Sequence, residues 1–389
     1  MDNKAPSPSI VIVSNLYPNK FEKTRGLFIK QLTDSLATKR RVTVVSPVPF
    51  NPLDLIKPSS KRLPESEVID GITVFHPRYI VIPKLFRSLT GFFFSIGIKQ
   101  TLKTLSAEGK ADFISAHWVY PDGFGANRIA KQLNIPIAIH ALGCDINEYT
   151  KFKIRRKLIT RALKQSDVNI VKSHELKNKI DSLGVDTEKT KVIHNGVDQK
   201  KFIRQRMATA RETLNLNSAD KYCLFIGNFQ VEKGLNFLVS AFKLIQDENV
   251  KLLVIGSGPL EADISQQVES LGLTNEIKFV GRVSHEIIPT YLSAANLLCL
   301  PSLREGCPNV VLESLSCGTP VVASDVGAVR DIISKPEFGV VVQPKNPDAL
   351  AEGIKKGLRL DKNSMPKFEW YDWAENADRI MHEFDRVNL

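Results

Sequence analysis

Short apolar runs recur along the chain and alternate with segments of helical period. In the first 200 residues the runs are rich in β-branched side chains, and we predict strands at residues 9–13, 42–45, 113–116, 135–139, 168–171 and 191–193. Helices are predicted between them at residues 28–38, 126–133 and 154–164. Near-continuous apolar strands that alternate with helices indicate a parallel sheet covered on both faces.

The same pattern restarts after residue 200. Strands are predicted at 222–226, 251–255, 277–280, 297–300, 321–323 and 340–341, and helices at 235–245, 260–270, 287–294 and 310–316. We therefore expect an α/β fold with two doubly wound, Rossmann-like domains that face a central cleft. Ligands of such sheets bind at the carboxyl ends of the strands.

Domain boundaries follow from the turn signals and from the tail. The turn-like His194-Asn195-Gly196 places the seam, so we predict an N-terminal domain at 1–198 and a C-terminal domain at 199–369. Residues 370–389 begin with an aromatic cluster and carry no further β-α unit. We predict that they form a C-terminal helix that packs back on the N-terminal domain.

Composition narrows the class of protein. With 389 residues, 43% hydrophobic and 24% charged, the chain is neither disordered, nor collagen-like, nor a multi-span membrane protein. Five Cys without a C-x-x-C pair exclude a zinc finger and a disulfide scaffold, and favour a reducing compartment. The polar start resembles no signal peptide, and no run approaches the ~18 apolar residues of a membrane span. We expect a cytoplasmic protein.

Positive charge is concentrated in the first half. The chain has 53 Lys+Arg and 42 Asp+Glu, a net charge of +11. Residues 1–200 hold 32 − 18 = +14 of this, which leaves 21 − 24 = −3 for the rest. Such asymmetry predicts an anionic partner for the basic half, with nucleic acid, a membrane surface and a phosphorylated substrate as candidates.

Two segments carry most of this excess. Residues 151–164 hold seven basic side chains and no acidic one, and residues 78–110 interleave Lys and Arg with Ile80, Ile82, Leu85, Phe86, Leu89 and 92–94. Mixed basic and apolar residues favour peripheral docking on an anionic membrane surface. The alternative is a solvated helix face together with core packing.

The most informative stretch is LPSLREGCPNVVLE at residues 300–313. A predicted strand ends at its first residue, Gly306 allows close approach to the backbone, and Pro308 suits the first turn of a helix. A helix start offers N–H groups and a positive dipole end to an anion. Glu305 and Glu313 can accept hydrogen bonds from hydroxyl groups, although two solvated glutamates would show the same spacing.

This stretch resembles the donor-site signature of retaining glycosyltransferases of family 4, which have the two-domain GT-B fold. The resemblance implies that Glu305 lies against the donor sugar, that Glu313 binds the ribose, and that the phosphates contact backbone around Cys307, Pro308, Asn309 and Val310, with Gly306 also in the donor site. It extends from Asn15 to about Asp331. The chain looks closest to bacterial cell-surface polysaccharide transferases of the teichuronic acid biosynthesis type.

Further donor-side motifs support the resemblance. GNFQVEKG at 227–234 is similar to the family pattern G-R-L-x-x-x-K-G, which implies that Lys233 holds the diphosphate. Asn228 stands where the family has Arg, so this position can donate a hydrogen bond but supplies no charge. FVGRV at 279–283 implies nucleobase contacts at Arg282 and Val283, and Gly26 matches the loop that approaches the donor phosphates.

Two motifs in the first half resemble the acceptor side of the family. IHALGCDIN at 139–147 is similar to its H-G-x-D region, with Ala141 where Gly is commoner. The resemblance implies that the carbonyl of His140 faces the developing cation at the anomeric centre. Asp145 either orients an acceptor hydroxyl or caps a turn. SAHWVYPDG at 115–123 implies that His117 lies near the acceptor.

We therefore expect a retaining, metal-independent hexosyltransferase whose catalytic residues are Glu305, Lys233 and His140. It would use a UDP- or GDP-sugar and a hydroxyl of a glycan acceptor linked to polyprenyl diphosphate, in bacterial capsule or other extracellular polysaccharide biosynthesis. The chain contains no D-x-D pair, and we expect neither a metal nor another cofactor. Such a protein would lie peripherally on the inner face of the cytoplasmic membrane.

Several alternatives stay open. A nucleic-acid-binding protein would share the basic half, but no such motif is visible and we expect no nucleic acid partner. An NAD-dependent dehydrogenase would need the G-x-G-x-x-G fingerprint, which is missing. A GT-B-fold sugar-nucleotide epimerase would share the donor site, and a noncatalytic paralogue would be consistent with Asn228.

Overall fold

The computed structural model describes residues 8–50, 63–81, 87–245, 247 and 249–387. Every strand predicted from the apolar runs overlaps a strand of the structure, and those predictions are confirmed. The strands are β1 (Ile10–Val13), β2 (Val42–Val45), β3 (Val48–Phe50), β4 (Ser66–Ile69), β5 (Ile72–Phe75), β6 (Arg78–Ile80), β7 (Phe113–His117), β8 (Ile137–Ala141), β9 (Val168–Val171), β10 (Thr190–Val192), β11 (Lys221–Ile226), β12 (Val250–Ile255), β13 (Ile277–Gly281), β14 (Leu297–Leu300), β15 (Val321–Ser324) and β16 (Gly339–Val342).

Helices connect most of these strands, and each predicted helix is present. They are α1 (Leu27–Ala37), α2 (Thr90–Ala107), α3 (Phe124–Leu133), α4 (Cys144–Asn147), α5 (Lys153–Gln165), α6 (His174–Asp181), α7 (Met207–Thr213), α8 (Leu235–Lys243), α9 (Glu261–Ser270), α10 (Ile288–Ala294), α11 (Asn309–Ser316), α12 (Val329–Ile332), α13 (Pro347–Gly357) and α14 (Trp373–Val387).

The chain divides into two compact units. Unit 1 contains Met1–Asn195 and Trp373–Leu389, and unit 2 contains Gly196–Asp372. The sequence-based boundaries at residues 198 and 370 lie close to these divisions.

Unit 1 is built on an eight-stranded sheet of order β10-β9-β8-β7-β1-β2-β5-β4. Its pairs are parallel except for β4 with β5, which form an antiparallel hairpin at one edge. The central strands are fully buried, because helices cover both faces. The order of the strands reverses between β1 and β7, so the carboxyl ends of these two strands mark a ligand-binding position of the fold.

The C-terminal helix α14 packs in unit 1, as predicted. Its apolar side joins the core that contains β1 and α1, and the ring of Phe384 stacks on Phe113 at 3.8 Å between centroids. The side-chain amide of Asn376 donates to the carbonyl of His194 at 2.6 Å. Unit 1 is therefore completed by the last segment of the chain.

Unit 2 has a parallel six-stranded sheet of order β13-β12-β11-β14-β15-β16. The strand order reverses between β11 and β14, which are neighbours. The loops that carry the strongest sequence motifs follow these two strands. The fold thus places them at the switch point where open α/β sheets bind ligands.

One basic and apolar segment of the sequence contributes mostly to the core. Phe94, Ile98 and Leu102 on α2 are fully buried, which supports the core-packing alternative for this part of residues 78–110. Leu89 and Ile96 are exposed. Residues 82–86, which include Ile82, Leu85 and Phe86, lie outside the described residues.

Candidate functional site

Two loops meet at the carboxyl edge of the unit 2 sheet. The β11 loop (residues 227–234) follows β11, and the β14 loop (residues 301–308) follows β14. Gly234 ends the first loop with a φ of 63°, and a Cβ there would lie 2.1 Å from the carbonyl oxygen of Pro301. Because glycine alone suits that dihedral angle and that approach, residue 234 fixes how closely the two loops pack.

The predicted catalytic residues of unit 2 lie side by side on these loops. Nζ of Lys233 is 2.7 Å from Oε1 of Glu305, and the hydroxyl of Ser302 donates to the same oxygen at 2.7 Å. The Glu305 side chain is only 11% exposed, whereas Lys233 is 31% exposed. The structure therefore holds a cation and an anchored carboxylate at the ligand-binding edge of the sheet.

A second ion pair reinforces the contact between the loops. The guanidinium of Arg304 lies 2.9 Å from Oε1 of Glu232, and the N–H of Leu303 donates to the carbonyl of Glu232 at 2.8 Å. These bonds place the residue before Lys233 against the residues before Glu305. The spacing of the Lys233–Glu305 pair is thus set by backbone as well as by side chains.

The β14 loop leads directly into α11. Pro308 precedes the first helical residue, Asn309, and its carbonyl accepts the N–H of Val311 at 3.0 Å. Gly327 packs against the backbone of this loop. Its φ is 59°, and a Cβ at this residue would lie 2.6 Å from the Glu305 carbonyl oxygen. The Gly306 carbonyl accepts the N–H of Ala328 at 2.9 Å. Sequence reasoning did not single out this support, although a Gly after β15 could have indicated it.

Glu313 lies in the second turn of α11 and is 15% exposed. Its Oε1 is 3.5 Å from Nε2 of His285, which follows β13. The sequence motifs predicted Glu313 but not His285, whose signal is a polar residue after a strand. The structure places a histidine beside the residue that is predicted to bind the ribose.

The other predicted donor-side residues lie on the β11 loop, directly after β13 or in unit 1. Asn228 is exposed at the start of the β11 loop, and Val283 packs against the core. The exposed Arg282 donates from Nε to the hydroxyl of Ser257 at 2.5 Å. In unit 1, Gly26 precedes α1 with a φ of 61°, and a Cβ would lie 2.0 Å from the carbonyl oxygen of Leu16. Their contacts with a donor stay predictions.

The predicted histidines of unit 1 form a stacked pair. His117 ends β7 and pairs in register with His140 on β8, and their rings lie 4.0 Å apart at an angle of 20°. The hydroxyl of Ser115 lies 3.2 Å and 2.9 Å from Nε2 of His117 and His140. Burial lowers the pKa of His117 to about 3 and that of His140 well below its usual value, and the positive charge of Lys172 acts in the same direction. Both rings are neutral at physiological pH.

The backbone of His140 is already engaged. Its carbonyl accepts the N–H of Trp118 at 3.0 Å, which uses one of its two lone pairs. Nδ1 of the buried ring has no hydrogen-bond partner among the described residues. The second carbonyl lone pair and Nδ1 thus have no partner among the described residues, but the residue is fully buried and exposes neither atom to solvent.

Asp145 organises the loop after β8. Its carboxylate accepts N–H groups of four residues at distances from 2.8 to 3.3 Å: Val119, Leu142, Gly143 and Ile146. The side chain is fully buried, and burial raises its pKa. These contacts match the turn-capping alternative, and the predicted bond to an acceptor hydroxyl stays a prediction.

Asp122 is a buried carboxyl that sequence reasoning passed over. Its Oδ1 accepts the N–H of Asn15 at 2.6 Å, at the switch point between β1 and β7. Oδ2 has no partner within the described part of the chain, and burial raises the pKa of Asp122 well above its usual value. Its signal in the sequence was its place in the same post-strand motif as His117.

Two family descriptions match the sequence. "Glycosyltransferase Family 4" matches residues 28–201, and "Glycosyl transferases group 1" matches residues 207–369. The chain belongs to the glycosyltransferases with these two domains. The resemblance stated from the motifs is confirmed, and the two α/β units are those of the GT-B fold.

Relatives cover nearly the whole length of this glycosyltransferase. TuaC of Bacillus subtilis, a glycosyltransferase named for teichuronic acid biosynthesis, is 28% identical over 97% of this chain and 98% of its own. The sucrose-phosphate synthase of Thermosynechococcus elongatus superposes with a TM-score of 0.77 at 21% identity, over 98% of this chain and 99% of its own. Anabaena HepE in complex with UDP gives 0.73 at 18% identity, over 97% and 100%. These structures support the fold.

Among the residues that the structure describes, no helix combines the length and the apolar character that crossing a bilayer requires.

Proposed function

We propose that this glycosyltransferase moves a sugar from a UDP- or GDP-sugar to an acceptor hydroxyl, with retention of the anomeric configuration and without a metal ion. The observation that carries the proposal is the 2.7 Å pair of Lys233 and Glu305 beside the start of α11. An ammonium group suits a diphosphate, and a carboxylate suits the hydroxyls of a sugar.

Lys233 would stabilise the leaving group. Departure of the nucleoside diphosphate leaves negative charge on its terminal phosphate, and a positioned ammonium lowers the energy of that charge in the transition state. The N-terminal end of α11 adds a positive dipole next to it. Since Asn228 supplies no charge at the family's Arg position, Lys233 carries the larger share of this stabilisation.

Glu305 would position the donor sugar. Both of its described bonds, from Lys233 and Ser302, go to Oε1, so Oε2 can accept a hydrogen bond from a sugar hydroxyl. A carboxylate that is held at one oxygen and largely buried loses little further entropy on binding. It therefore orients the anomeric carbon toward the acceptor at small cost.

His140 in unit 1 would face the developing cation. Its second carbonyl lone pair supplies partial negative charge to an oxocarbenium-like centre. The ring is neutral, because burial lowers its pKa, so it does not oppose that positive charge. A protonated imidazole at the same position would raise the barrier.

We propose a lipid-linked glycan, carried on polyprenyl diphosphate, as the acceptor, in the biosynthesis of a bacterial surface polysaccharide. Two facts support this class. The relative TuaC is named for teichuronic acid biosynthesis. Unit 1 carries a surface with the charge and apolarity of a membrane-docking face.

That surface is the outer side of α5, the α5 face. It exposes Lys153, Arg156, Lys157, Arg161 and Lys164. At the start of the helix, Phe152 is 53% exposed and Ile154 63% exposed. One basic residue of the sequence run is excluded from it, because Arg155 is buried and lies over the rings of Tyr149 and Phe152. Basic side chains with apolar residues at one end suit the anionic inner leaflet.

The proposed reaction is tested with a panel of UDP- and GDP-sugars and a polyprenyl-diphosphate-linked glycan, in buffer with EDTA. We expect a product with the donor's anomeric configuration by NMR. Lys233→Met and Glu305→Gln should lower the rate by about 100-fold or more. The exposed Lys278→Met and Glu261→Gln serve as charge-matched controls. Release of a free sugar epimer without any acceptor would instead support the epimerase.

Membrane docking is tested by flotation with vesicles of phosphatidylcholine alone or with anionic phosphatidylglycerol. We expect binding only to the anionic vesicles, weakened by salt. Lys153→Gln with Lys157→Gln should weaken it by about tenfold or more, because each basic residue near the surface contributes about 1 kcal/mol. Lys355→Gln with Lys356→Gln in unit 2 is the matched control. Equal binding to both kinds of vesicle would refute the docking surface.

A further inference from the structure

Three polar side chains form a continuous chain that ends at the predicted ribose ligand. Nζ of Lys201 lies 2.9 Å from Nδ1 of His285, and Nε2 of His285 lies 3.5 Å from Oε1 of Glu313. We infer that Lys201 holds His285 in its Nε2–H form and that His285 then positions Glu313 for the ribose of the nucleotide. His285 and Lys201 are positioning residues in this inference, which rests on the proposed function.

Lys201 determines the tautomer of the ring. An ammonium group has only N–H donors, so Nδ1 of His285 must be the acceptor of their contact and cannot carry a proton. A neutral ring then carries its proton on Nε2, which is the nitrogen that faces Glu313. The N–H groups thus point in one direction, from Lys201 to the ring of His285 and from that ring to the carboxylate of Glu313.

Neighbouring side chains hold both donors in place. Nζ of Lys201 is also 2.6 Å from Oε1 of Glu286, and this contact with Lys201 lowers the pKa of the Glu286 carboxyl. The ring of Phe202 meets His285 edge-on at 5.4 Å between centroids. Lys201 is 18% exposed, so its ammonium is shielded from solvent more than a surface lysine is. The orientation of the imidazole is therefore set from two sides.

At 3.5 Å the contact of His285 with Glu313 is longer than a settled hydrogen bond. In this inference the Nε2–H of His285 attracts Oε1 electrostatically. Oε2 is then presented on the other side of the carboxylate, where it can accept from a ribose hydroxyl. A glutamate without this partner would spread over several rotamers and lose entropy when the nucleotide binds.

The inference predicts an effect that depends on the ribose hydroxyls. We would titrate wild type and His285→Leu with UDP, GDP and their 2′,3′-dideoxy analogues by calorimetry. His285→Leu should weaken the hydroxylated nucleotide by about tenfold and leave the dideoxy analogue nearly unchanged. His285→Gln should restore part of the loss, since its amide can accept from Lys201 and donate to Glu313.

The tautomer gives a second readout that simple loss of packing would not change. In ¹⁵N-histidine-labelled protein, His285 should show the Nε2–H pattern, and its signal is assigned by its absence from His285→Gln. Lys201→Met should shift it toward a mixture of tautomers and weaken nucleotide binding. Lys200→Met, on the adjacent exposed residue, should do neither.

The outcomes separate this inference from the proposed function. Equal losses for hydroxylated and dideoxy nucleotides in His285→Leu, or an Nδ1–H ring in the wild type, would overturn the inference while the donor site stands. A wild type that binds neither UDP nor GDP would overturn the proposed function and the ribose step with it.

Discussion

The ammonium of Lys233 is paired with the carboxylate of Glu305 at 2.7 Å. The family resemblance assigns the first to the diphosphate and the second to the sugar. In this ion pair the two charges neutralise each other. A bound diphosphate must compete with Glu305 for Lys233, or share it.

This competition leads to opposite effects on binding and on transfer in Glu305→Gln. The amide keeps the shape of the side chain but frees Lys233 from its counter-charge, so free UDP or GDP should bind about 3- to 10-fold more tightly. Transfer should nevertheless fall by about 100-fold, since the donor sugar loses its carboxylate. Calorimetry with the nucleotide and initial rates with the full donor measure the two effects.

The double variant Lys233→Met with Glu305→Gln is the control. The gain in nucleotide binding should disappear in it, because the gain requires the ammonium group. If Glu305→Gln alone weakened UDP and GDP instead, the carboxylate would not be in competition with the diphosphate.

Asn228 offers a gain-of-affinity test. It is exposed at the start of the β11 loop, where the family has Arg. We expect Asn228→Arg to bind the nucleoside diphosphate about tenfold more tightly at low salt, with a steeper loss of affinity as salt is added. Gln230→Arg places the same charge two residues further on and is the matched control. An equal gain there would indicate a general charge effect and not a restored phosphate contact.

The hydrophobic pattern was sufficient to predict both parallel sheets, because most of their strands are buried on both faces and appear as continuous apolar runs. It missed β4 and β5, whose alternating exposure and short length leave a weak signal around the turn at Asp70-Gly71. The helix α2 was not predicted, because its basic and apolar residues are mixed along the segment. Which of its phenylalanines are buried depends on packing against β6 and α3, as in the contacts of Phe94 with Tyr79 and of Phe92 with Phe124.

Motifs predicted Lys233 and Glu305 separately, but not their pairing, since 72 positions separate them. The pairing depends on the approach of Gly234 to Pro301, which only the packed loops show. His285 belongs to no short motif, and the motif at 115–123 does not reveal that Asp122 is buried, because both environments arise from strands that meet in the fold. The same holds for Arg155. The run of basic residues predicted it at the surface, but its side chain is buried over the rings of Tyr149 and Phe152.

The buried histidine pair makes unit 1 sensitive to acid. Burial lowers the pKa of His117 from 6.5 to about 3, so between these values the unfolded chain binds a proton that the folded unit does not. The contribution of His117 to the stability of unit 1 is thus fully present above the ordinary histidine pKa. It is lost as the pH falls below that value. Near pH 5 the loss from His117 alone should be about 2 kcal/mol.

Unfolding of unit 1, followed by the fluorescence of Trp118 and Trp373 between pH 7 and 5, measures this loss. His117→Phe keeps a stacked ring without its titration and should reduce the pH dependence, while the part that comes from the buried His140 remains. His382→Phe removes an exposed histidine and should leave the dependence as it is in the wild type. Parallel pH profiles for the wild type and His117→Phe would show that the buried ring does not titrate in this way.

Asp145→Asn distinguishes the two roles that the sequence left open for this residue. Its carboxylate accepts N–H groups from four residues, and an amide would turn its NH₂ against some of them. We expect unit 1 to lose about 2–3 kcal/mol of stability, since buried N–H groups lose their acceptor. Asp167→Asn, whose carboxylate accepts one backbone N–H at 2.8 Å, should cost about 1 kcal/mol. Unfolding curves and the KM for the acceptor are measured on the same variant. An unchanged stability with a raised KM would assign Asp145 to the acceptor site. A large loss of stability with an unchanged KM of the folded protein would assign it to the loop after β8.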